Sequence, residues 1–326
     1  METVLQNRWI KSLESAVPEI TASDSLIPFE LGSRFGYIDQ EGRILFSKNR
    51  QNYVSMSKDM WAEYDSVPGL VELRAPAGEL LTTIDTTAGY PVFFENRVFL
   101  IGNELATIHS LDVLGNISWS YDFPAPITCI DSKANLVLAG LLDGSIELIN
   151  AQGQRIFTFE PGGSRLSVIA GCSLSQEGTK IALISGIDRQ RFLLLEQSGE
   201  TYKVTYHEFL EEGFRRPVHI TFIDNGNRVV FERYRGVSIF EIKGRKNIFV
   251  PLAGDIQCID NKGNDGLLFL VIAEKEDQKQ LVMLKMPGIV IAKVPFKSAD
   301  AFLAREDSSL FIGSGSVMTS FELGTR

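Results

Sequence analysis

The stretch LDVLGNISWSYDFPAPITCID, residues 111–131, carries the features that decide the fold of this 326-residue chain. A short apolar run ends at Leu111, a glycine follows at position 115 and a tryptophan at 119, and another apolar run begins after Pro126. Glycine can take the positive φ that a tight hairpin turn requires. The stretch therefore indicates short strands joined by a turn, and its recurrence along the chain decides the architecture.

The turn glycine recurs along the whole sequence, each time after an apolar alternating run. Eight positions share this pattern: Gly42, Gly78, Gly115, Gly153, Gly199, Gly244, Gly288 and Gly324. Successive positions differ by 36, 37, 38, 46, 45, 44 and 36 residues. A second pattern, an apolar strand ending in an Asp-led turn, precedes the glycine at 126–131, 217–224 and 255–260, and more weakly at 18–24. Four short strands per period, here A to D, predict a β-propeller.

The two ends of the chain predict how the ring closes. Residues 6–13 resemble the strand that follows Gly115, and the chain ends where strand D of the last unit is due. We expect the N-terminal strand to complete the last blade and so remove an exposed sheet edge. The prediction is a single all-β domain, an eight-bladed β-propeller, with blades at 18–47, 50–85, 90–123, 126–160, 165–208, 217–252, 255–297 and 300–324 plus 5–13.

Two other architectures compete with eight blades. A seven-bladed ring results if residues 25–46 belong to the closure rather than to a blade of their own. A tandem pair of β-sandwiches also uses many short strands, but the regular spacing of the repeats disfavours it.

The pattern Leu111-Asp-x-x-Gly115-x-x-x-Trp119 resembles the repeat of the PQQ-like (quinoprotein-type) propellers. A WD40-like propeller is the second choice, because the Gly-His and Trp-Asp signatures of that repeat are missing. The tryptophan stands at this place only in the third blade and, in the N-terminal strand, at Trp9. The resemblance implies either a quinone-binding alcohol dehydrogenase or a non-enzymatic scaffold, such as the lipoprotein propeller of the bacterial outer-membrane assembly machinery. The fold alone does not choose between them.

The cysteines argue against the dehydrogenase branch. The resemblance implies that such an enzyme carries two adjacent cysteines and a calcium site near an Asp base. Cys129, Cys172 and Cys258 are instead far apart, at similar places in three A strands. We interpret them as small buried residues of the inner strands. The alternative is a reactive or partner-linked thiol, which requires a lowered pKa.

No other set of residues indicates catalysis or cofactor binding. His109, His207 and His219 lie in different units, although His219 is near the channel-lining strand A. A metal site needs several converging ligands. The glycine-containing loops at 161–163 and 314–316 do not lie between a strand and a helix, as a phosphate-binding loop does. We therefore expect a protein that is not an enzyme, with no catalytic, metal or cofactor-binding residues and no cofactor.

Charge and hydropathy restrict the partners. The net charge of −9 disfavours a nucleic-acid binder, which is normally basic. No apolar run reaches the ~20 residues that a membrane-spanning helix needs, and the N-terminus does not resemble a signal peptide. We expect a bacterial periplasmic or cell-envelope location if a signal or anchor has been removed, and otherwise a cytoplasmic one. The charged run 274–279 is expected to be a solvated hairpin tip.

One candidate interaction face appears when the repeats are aligned. The D–A and B–C loops of a propeller lie on the same face, and around blades 5 and 6 these loops are rich in arginine and aromatic residues. The candidate partner-binding residues are Arg189, Arg191, Phe214, Arg215, Arg216, Arg233, Tyr234 and Arg235. Arginine and aromatic residues are enriched in protein interfaces. The alternative is a set of solvated loop tips, partly neutralised by Asp188, Glu211, Glu212 and Glu232.

Two functions are compatible with these patterns. The first is a non-enzymatic scaffold that binds a protein partner, alone or within a larger assembly, through the face of the D–A and B–C loops. The second is an enzyme or ligand-binding propeller with its site in the central channel, which would gain if Asp131, Asp224 and Asp260 faced one cavity. We interpret these three aspartates instead as turn residues, because Asp commonly bonds the backbone of a turn.

Overall fold

The computed structural model describes residues 3–14, 19, 23, 25–260, 262 and 266–325. These residues form 31 strands and one short 3₁₀ helix, Thr86–Ala88. In chain order the strands of the N-terminal half are β1 Thr3–Ser12, β2 Leu26–Leu31, β3 Arg34–Asp39, β4 Ile44–Asn49, β5 Tyr53–Met56, β6 Trp61–Tyr64, β7 Leu70–Arg74, β8 Leu80–Asp85, β9 Tyr90–Phe94, β10 Arg97–Ile101, β11 Thr107–Leu111, β12 Ile117–Asp122, β13 Ile127–Lys133, β14 Leu136–Leu141, β15 Ile146–Ile149 and β16 Arg155–Phe159.

The C-terminal half continues the same pattern of short strands. They are β17 Ile169–Leu174, β18 Lys180–Ser185, β19 Arg191–Ser198, β20 Thr201–Phe209, β21 Ile220–Ile223, β22 Arg228–Arg233, β23 Gly236–Glu241, β24 Lys246–Pro251, β25 Asp255–Ile259, β26 Leu267–Lys275, β27 Gln278–Lys285, β28 Ile289–Lys297, β29 Ala301–Glu306, β30 Ser309–Ser314 and β31 Val317–Thr325.

The strands form eight antiparallel sheets arranged as a ring, so the protein is an eight-bladed β-propeller rather than the seven-bladed alternative. Within a blade, consecutive strands pair in the order A to D. The A strands of neighbouring blades contact one another, as β13 contacts β17 and β17 contacts β21, which places them around the centre of the ring.

The core lies between the blades. Alternating side chains of each sheet are buried against the next sheet, as a two-residue period requires. Between blades 5 and 6, for example, Phe192 stacks on Phe231 with 4.5 Å between the ring centroids, and both side chains are fully buried. Each blade is thus stabilised by both of its neighbours, and an unpartnered blade would expose two apolar faces.

The predicted closure by the N-terminal strand is confirmed. The last sheet has the order β1-β31-β30-β29, so the chain's first strand is strand D of the blade formed by its last three. The pairing of β1 with β31 runs from Thr3 opposite Thr325 to Ser12 opposite Val317, with one irregularity between Asn7 and Trp9. This pairing covers the edge that β31 would otherwise expose.

Blade 1 is described with three strands, β2, β3 and β4. The inner strand that we predicted at 18–24 lies outside the described residues, except for positions 19 and 23. The outer strand extends to Asn49, two residues beyond the predicted end of the blade at 47.

The turn glycines mostly adopt the expected conformation. Six of the eight have positive φ: Gly42, Gly78, Gly115, Gly153, Gly199 and Gly288. The interpretation is wrong at the other two. In blade 6 the positive φ of 48° belongs to Arg245 rather than to Gly244, and Gly324 lies inside β31, opposite Val4. The spacing of the glycines along the sequence does not by itself show whether a given glycine lies in a turn or in a strand.

The two tryptophans of the repeat pattern join adjacent blades. Trp9 of blade 8 lies over Gly42 of blade 1, and Trp119 of blade 3 lies over Gly153 of blade 4. A Cβ atom at either glycine would stand 2.8 Å from the nearest ring atom, closer than real Cβ contacts allow. The indole N–H of Trp9 also donates a hydrogen bond of 2.9 Å to the carbonyl of Gln40. These glycines therefore serve the turn and make room for an aromatic side chain of the preceding blade.

Candidate protein-interaction face

The candidate residues lie on three neighbouring loops of blades 5 and 6. The B–C loop of blade 5 (186–190) carries Arg189, and Arg191 begins the strand after it. The D–A connection from blade 5 to blade 6 (210–219) carries Phe214, Arg215 and Arg216. The tight B–C turn of blade 6 (234–235) consists of Tyr234 and Arg235, and Arg233 precedes it. We call this set of loops the arginine face.

Buried Gln190 holds two of these loops together. Its side-chain oxygen accepts a hydrogen bond of 3.2 Å from the backbone N–H of Phe214. Its side-chain nitrogen donates to the carbonyls of Gly186 and Phe214, each at 3.2 Å. The relative position of the loops is therefore fixed by one amide. Gln190 is not among the residues predicted from the sequence, because a polar residue in a loop gives no signal that its side chain is buried.

Aromatic rings and guanidinium groups pair across the arginine face. The guanidinium carbons of Arg189 and Arg191 lie 4.6 Å and 5.4 Å from the centroid of the Phe209 ring. Phe209 is 41% exposed, and it too is missing from the residues predicted from the sequence. A guanidinium that stacks on an aromatic ring keeps its N–H groups available for a carboxylate or a carbonyl.

A second aromatic group joins the other two loops. The rings of Phe214 and Tyr234 are 6.4 Å apart. Arg216 stacks on Phe214 at 4.3 Å, and Arg235 on Tyr234 at 5.3 Å. The structure thus brings these four predicted residues together, with Phe214 half-buried and Tyr234 44% exposed.

Three of the predicted arginines bind groups of the protein itself. Arg191 donates to the carbonyls of Pro161 and Gly162. Arg216 forms two hydrogen bonds, of 2.8 Å and 3.0 Å, with the buried carboxylate of Glu232. Such contacts order the loops and leave these side chains less available to a partner.

Arg233 is the third arginine that is held inside the protein. It lies 4.0 Å from the Glu208 carboxylate and stacks on Phe249, and its side chain is only 14% exposed. Among the described residues, the exposed arginines Arg189, Arg215 and Arg235 have no acidic partner. These three are the arginines of the face that are both exposed and without an acidic partner among the described residues.

The nearby acidic residues neutralise the face only in part. Glu232 binds Arg216, as the alternative interpretation expects. Asp188 instead faces the 161–166 loop, where a hydrogen bond from the Ser164 hydroxyl and one from the backbone N–H of Leu166 lower its pKa to about 2. Glu211 and Glu212 are exposed and form no ion pair with a described residue. The face is therefore mixed in charge, and its distinguishing feature is the stacking of arginine on aromatic rings.

The central channel contains a cavity of about 390 Å³ against the inner strands of blades 4 to 7. Its lining includes Asp131, Lys133, Cys172, His219 and Cys258. Asp224 and Asp260 do not line this cavity; they pair with Arg228 and Arg305 respectively. The three aspartates therefore do not converge on one site. Their convergence would have favoured a ligand in the channel.

The charged run at 274–279 differs from our interpretation at its last residue. Lys279 is 3% exposed, and its ammonium donates a hydrogen bond of 3.0 Å to the carbonyl of Glu276. The run is thus a hairpin tip whose final lysine is buried rather than solvated.

The cysteines are less uniformly buried than predicted. Cys172 is buried, whereas Cys129 and Cys258 are half-buried, and all three are free thiols. The neighbouring Cys129 thiol and burial raise the pKa of Cys172, and burial raises the pKa of Cys258. A raised pKa lowers the fraction of reactive thiolate at neutral pH.

Native-state labelling should distinguish the three thiols. With an aromatic disulfide reagent at neutral pH, Cys172 and Cys258 should react more slowly in the native protein than in denaturant, because the raised pKa of each thiol leaves less reactive thiolate. Cys172 should react last, because it is buried whereas Cys129 and Cys258 are half-buried. Mass spectrometry of the labelled peptides measures the order. Labelling of Cys172 or Cys258 in the native protein as fast as in denaturant would contradict the raised pKa of these thiols.

Metal sites and membrane-spanning helices are both missing from the described residues. No group of three or more His, Cys, Asp or Glu side chains in this part of the chain is arranged to hold a metal ion. Within the same residues, no helix has the length and hydrophobicity that crossing a membrane requires.

The chain belongs to a β-propeller protein family, whose model matches residues 4–325. An uncharacterized protein of Treponema pallidum (strain Nichols) is 27% identical over 299 residues, which cover 92% of this chain and 79% of that protein. Family membership thus agrees with the ring of eight sheets.

Two solved structures are similar in fold. BamB from Moraxella catarrhalis matches with a TM-score of 0.67 and 15% identity, over 98% of this chain and all of that chain. The computationally designed Ika8 protein matches with a TM-score of 0.68 and 16% identity, over 96% of this chain and 98% of that chain. At these identities the likeness concerns the fold alone.

Proposed function

We propose that the protein is a non-enzymatic scaffold of the PQQ-like propeller type that binds a protein partner through the arginine face. The observation that carries the proposal is the cluster of Phe214, Tyr234, Arg216 and Arg235, in which two aromatic rings and two guanidinium groups contact one another. Aromatic and arginine side chains supply most of the binding energy in many protein interfaces.

The loops of the arginine face are held in place by internal contacts, which supports the proposal. Gln190 and the Arg216–Glu232 pair fix the backbone beneath the exposed side chains. A surface that is already ordered loses less conformational entropy when a partner binds. The partner should offer carboxylates or backbone carbonyls to Arg215 and Arg235, and an apolar groove for Phe214 or Tyr234.

Charge reversal tests the proposal. The Arg215→Glu/Arg235→Glu variant should bind its partner about tenfold more weakly, or weaker still. The loss should come mainly from slower association and should be largest at low salt, because rim charges act chiefly on the on-rate. Phe214→Ala should shorten the lifetime of the complex even at high salt. Partners are captured on the immobilised protein from cells that produce it, and their kinetics are then measured by surface plasmon resonance.

The same blade supplies a matched control. Lys243 and Arg245 lie in the C–D turn of blade 6, on the opposite face of the ring, and both are exposed. Arg245 and Arg235 also share a positive φ, of 48° and 58°. Lys243→Glu/Arg245→Glu therefore changes the net charge equally in an equivalent backbone setting and should leave binding unchanged. Equal binding by both double variants would place the interface elsewhere.

A further inference from the structure

A second surface lies three blades away from the arginine face, between blades 2 and 3. It is a cleft of about 340 Å³ that opens among the D–A and B–C loops. Its walls include Tyr53, Tyr64 and Tyr90, with Asp65 and Pro68 from the B–C loop of blade 2 and Asn103 from that of blade 3. We call it the tyrosine cleft.

The tyrosines present aromatic rings to the cleft. Tyr53 and Tyr64 are directly opposite each other on β5 and β6, and their rings stack with 5.7 Å between centroids and 27° between planes. Tyr53 is 60% exposed. Tyr90, at the start of β9, is half-buried, and burial together with nearby Tyr64 raises its pKa. The Tyr90 hydroxyl therefore remains protonated at neutral pH and can donate a hydrogen bond into the cleft.

Within the part of the chain that the structure describes, these hydroxyls have no hydrogen-bond partner. The hydroxyls of Tyr37, Tyr121, Tyr202 and Tyr206 each donate a hydrogen bond within the protein. In contrast, those of Tyr53, Tyr64 and Tyr90 bond to no other described residue. Tyr64 and Tyr90 are half-buried, and the hydroxyl of a buried tyrosine usually finds a hydrogen-bond partner. Three free hydroxyls around one cleft suit a ligand that is rich in acceptors.

The floor of the cleft is rigid. Thr86 and Gly69 bind each other through three hydrogen bonds of 2.9–3.0 Å, two of which use the Thr86 hydroxyl. Gly89 cannot be replaced without a shift of the backbone, since a Cβ there would stand 2.1 Å from the carbonyl oxygen of Ile101. The cleft is thus formed before any ligand arrives, which lowers the entropic cost of binding.

The charge of the cleft is negative. Asp65 is its one charged lining residue in the described part of the chain, and hydrogen bonds from Ser66 and from the backbone N–H of Val67 lower the pKa of its carboxyl. Asp65 forms no ion pair with a described cation. A ligand that carries a Lys or Arg would therefore find an available carboxylate at this edge.

From these features we infer that the tyrosine cleft binds an extended, proline-containing peptide segment with a neighbouring Lys or Arg. A polyproline II segment has no internal hydrogen bonds, so its carbonyls are free to accept from tyrosine hydroxyls. Its proline rings pack on aromatic faces, and its prolines bring no N–H donors, which suits a wall that itself supplies donors. This site is separate from the arginine face and does not depend on it.

A peptide selection tests the inference. A phage-displayed library of random 12-residue peptides is selected on the wild-type protein, and the enriched peptides are measured by fluorescence anisotropy. We expect enrichment of proline with a nearby Lys or Arg. Tyr64→Phe/Tyr90→Phe should weaken binding about tenfold or more, because it removes two hydroxyl donors. Asp65→Asn should abolish the preference for a basic residue.

Two controls make the result specific. Tyr234→Phe removes a hydroxyl of the arginine face and should leave peptide affinity unchanged, as should Arg215→Glu/Arg235→Glu. Thermal unfolding of each variant verifies that the fold is intact. A selection that yields no proline enrichment, or peptides whose affinity the cleft variants do not change, overturns the inference. A glycan array in which sugars bind in a Tyr53-dependent manner would also overturn it.

Discussion

Deletion of residues 1–14 should open the ring and remove most of the protein's stability. The deletion removes β1 and uncovers the edge of β31 along its full length. It also removes Trp9, which packs on Gly42 and on the ring of Phe311 at 5.9 Å. Loss of a buried aromatic side chain costs roughly 3–5 kcal/mol, and the half-buried Trp9 should contribute less than that. The deletion also removes Leu13, which is fully buried, and a domain typically has a margin of only about 5–15 kcal/mol. Chemical denaturation and light scattering measure the two consequences, lower stability and self-association through the open edge.

A pair of glycine substitutions isolates the contribution of Trp9. Gly42→Ala places a methyl group against the Trp9 ring at a φ of 82°. Gly78→Ala has a similar φ of 98° in the equivalent turn of blade 2, but nothing lies within 4 Å of the new methyl group. Both variants carry the conformational strain, and only the first disturbs the contact between blades. Gly42→Ala should therefore be the less stable of the two.

The closure would be contradicted by a truncated protein that stays monomeric and unfolds at the same denaturant concentration as the full chain. Equal stability of Gly42→Ala and Gly78→Ala would show that the Trp9 contact contributes little, even if β1 itself is required.

The repeat architecture could be predicted because its signals are local. A turn needs positive φ, an inner strand needs alternating apolar residues, and both recur at nearly constant spacing. The N-terminal closure followed from the same pattern, since residues around Trp9 match those around Trp119. Where a local signal was ambiguous, as at Gly244 and Gly324, the prediction failed.

The contacts between blades could not be predicted in the same way. Asp131 was interpreted as a turn residue, and it does accept a hydrogen bond from the N–H of Ser132. Its other oxygen accepts a hydrogen bond of 2.8 Å from the N–H of Leu174, on the inner strand of the next blade. Likewise Asp260 reaches Arg305 of the following blade. Such partners lie in the next repeat along the chain, and nothing near either aspartate indicates them.

For the candidate site, too, the position of the loops could be predicted from the sequence but the contacts of their side chains could not. Propeller topology was enough to place the three loops of the arginine face side by side. Sequence could not show that Arg191 and Arg233 bind groups inside the protein, or that Gln190 connects two loops. Side-chain direction depends on packing in the finished fold, so the exposed subset of arginines emerges only with the structure.

Arg216 should prove to be a structural residue of the arginine face, since Arg216→Ala should lower the free energy of unfolding by about 2–3 kcal/mol. The substitution leaves the Glu232 carboxylate, which is 2% exposed, without its counter-ion. Removing one partner of a fully buried ion pair costs roughly 3–5 kcal/mol. The smaller value is expected here because the Arg216 side chain is 40% exposed, so water can replace part of it. Urea denaturation measures the change.

A double-mutant cycle with Glu232→Gln tests whether the cost comes from the uncompensated carboxylate. The neutral amide can stay buried without a cation, so Arg216→Ala should cost clearly less when it is combined with Glu232→Gln. Arg8→Ala serves as a control, because its ion pair with Glu322 is exposed and such pairs contribute little. Additive effects of the two substitutions would contradict the role given to the pair. If the two substitutions are coupled, the Arg216–Glu232 pair orders the loop. Weaker partner binding by an Arg216 variant would then reflect a disturbed loop rather than a lost contact. Direct contact with a partner would therefore be tested at Arg215 and Arg235.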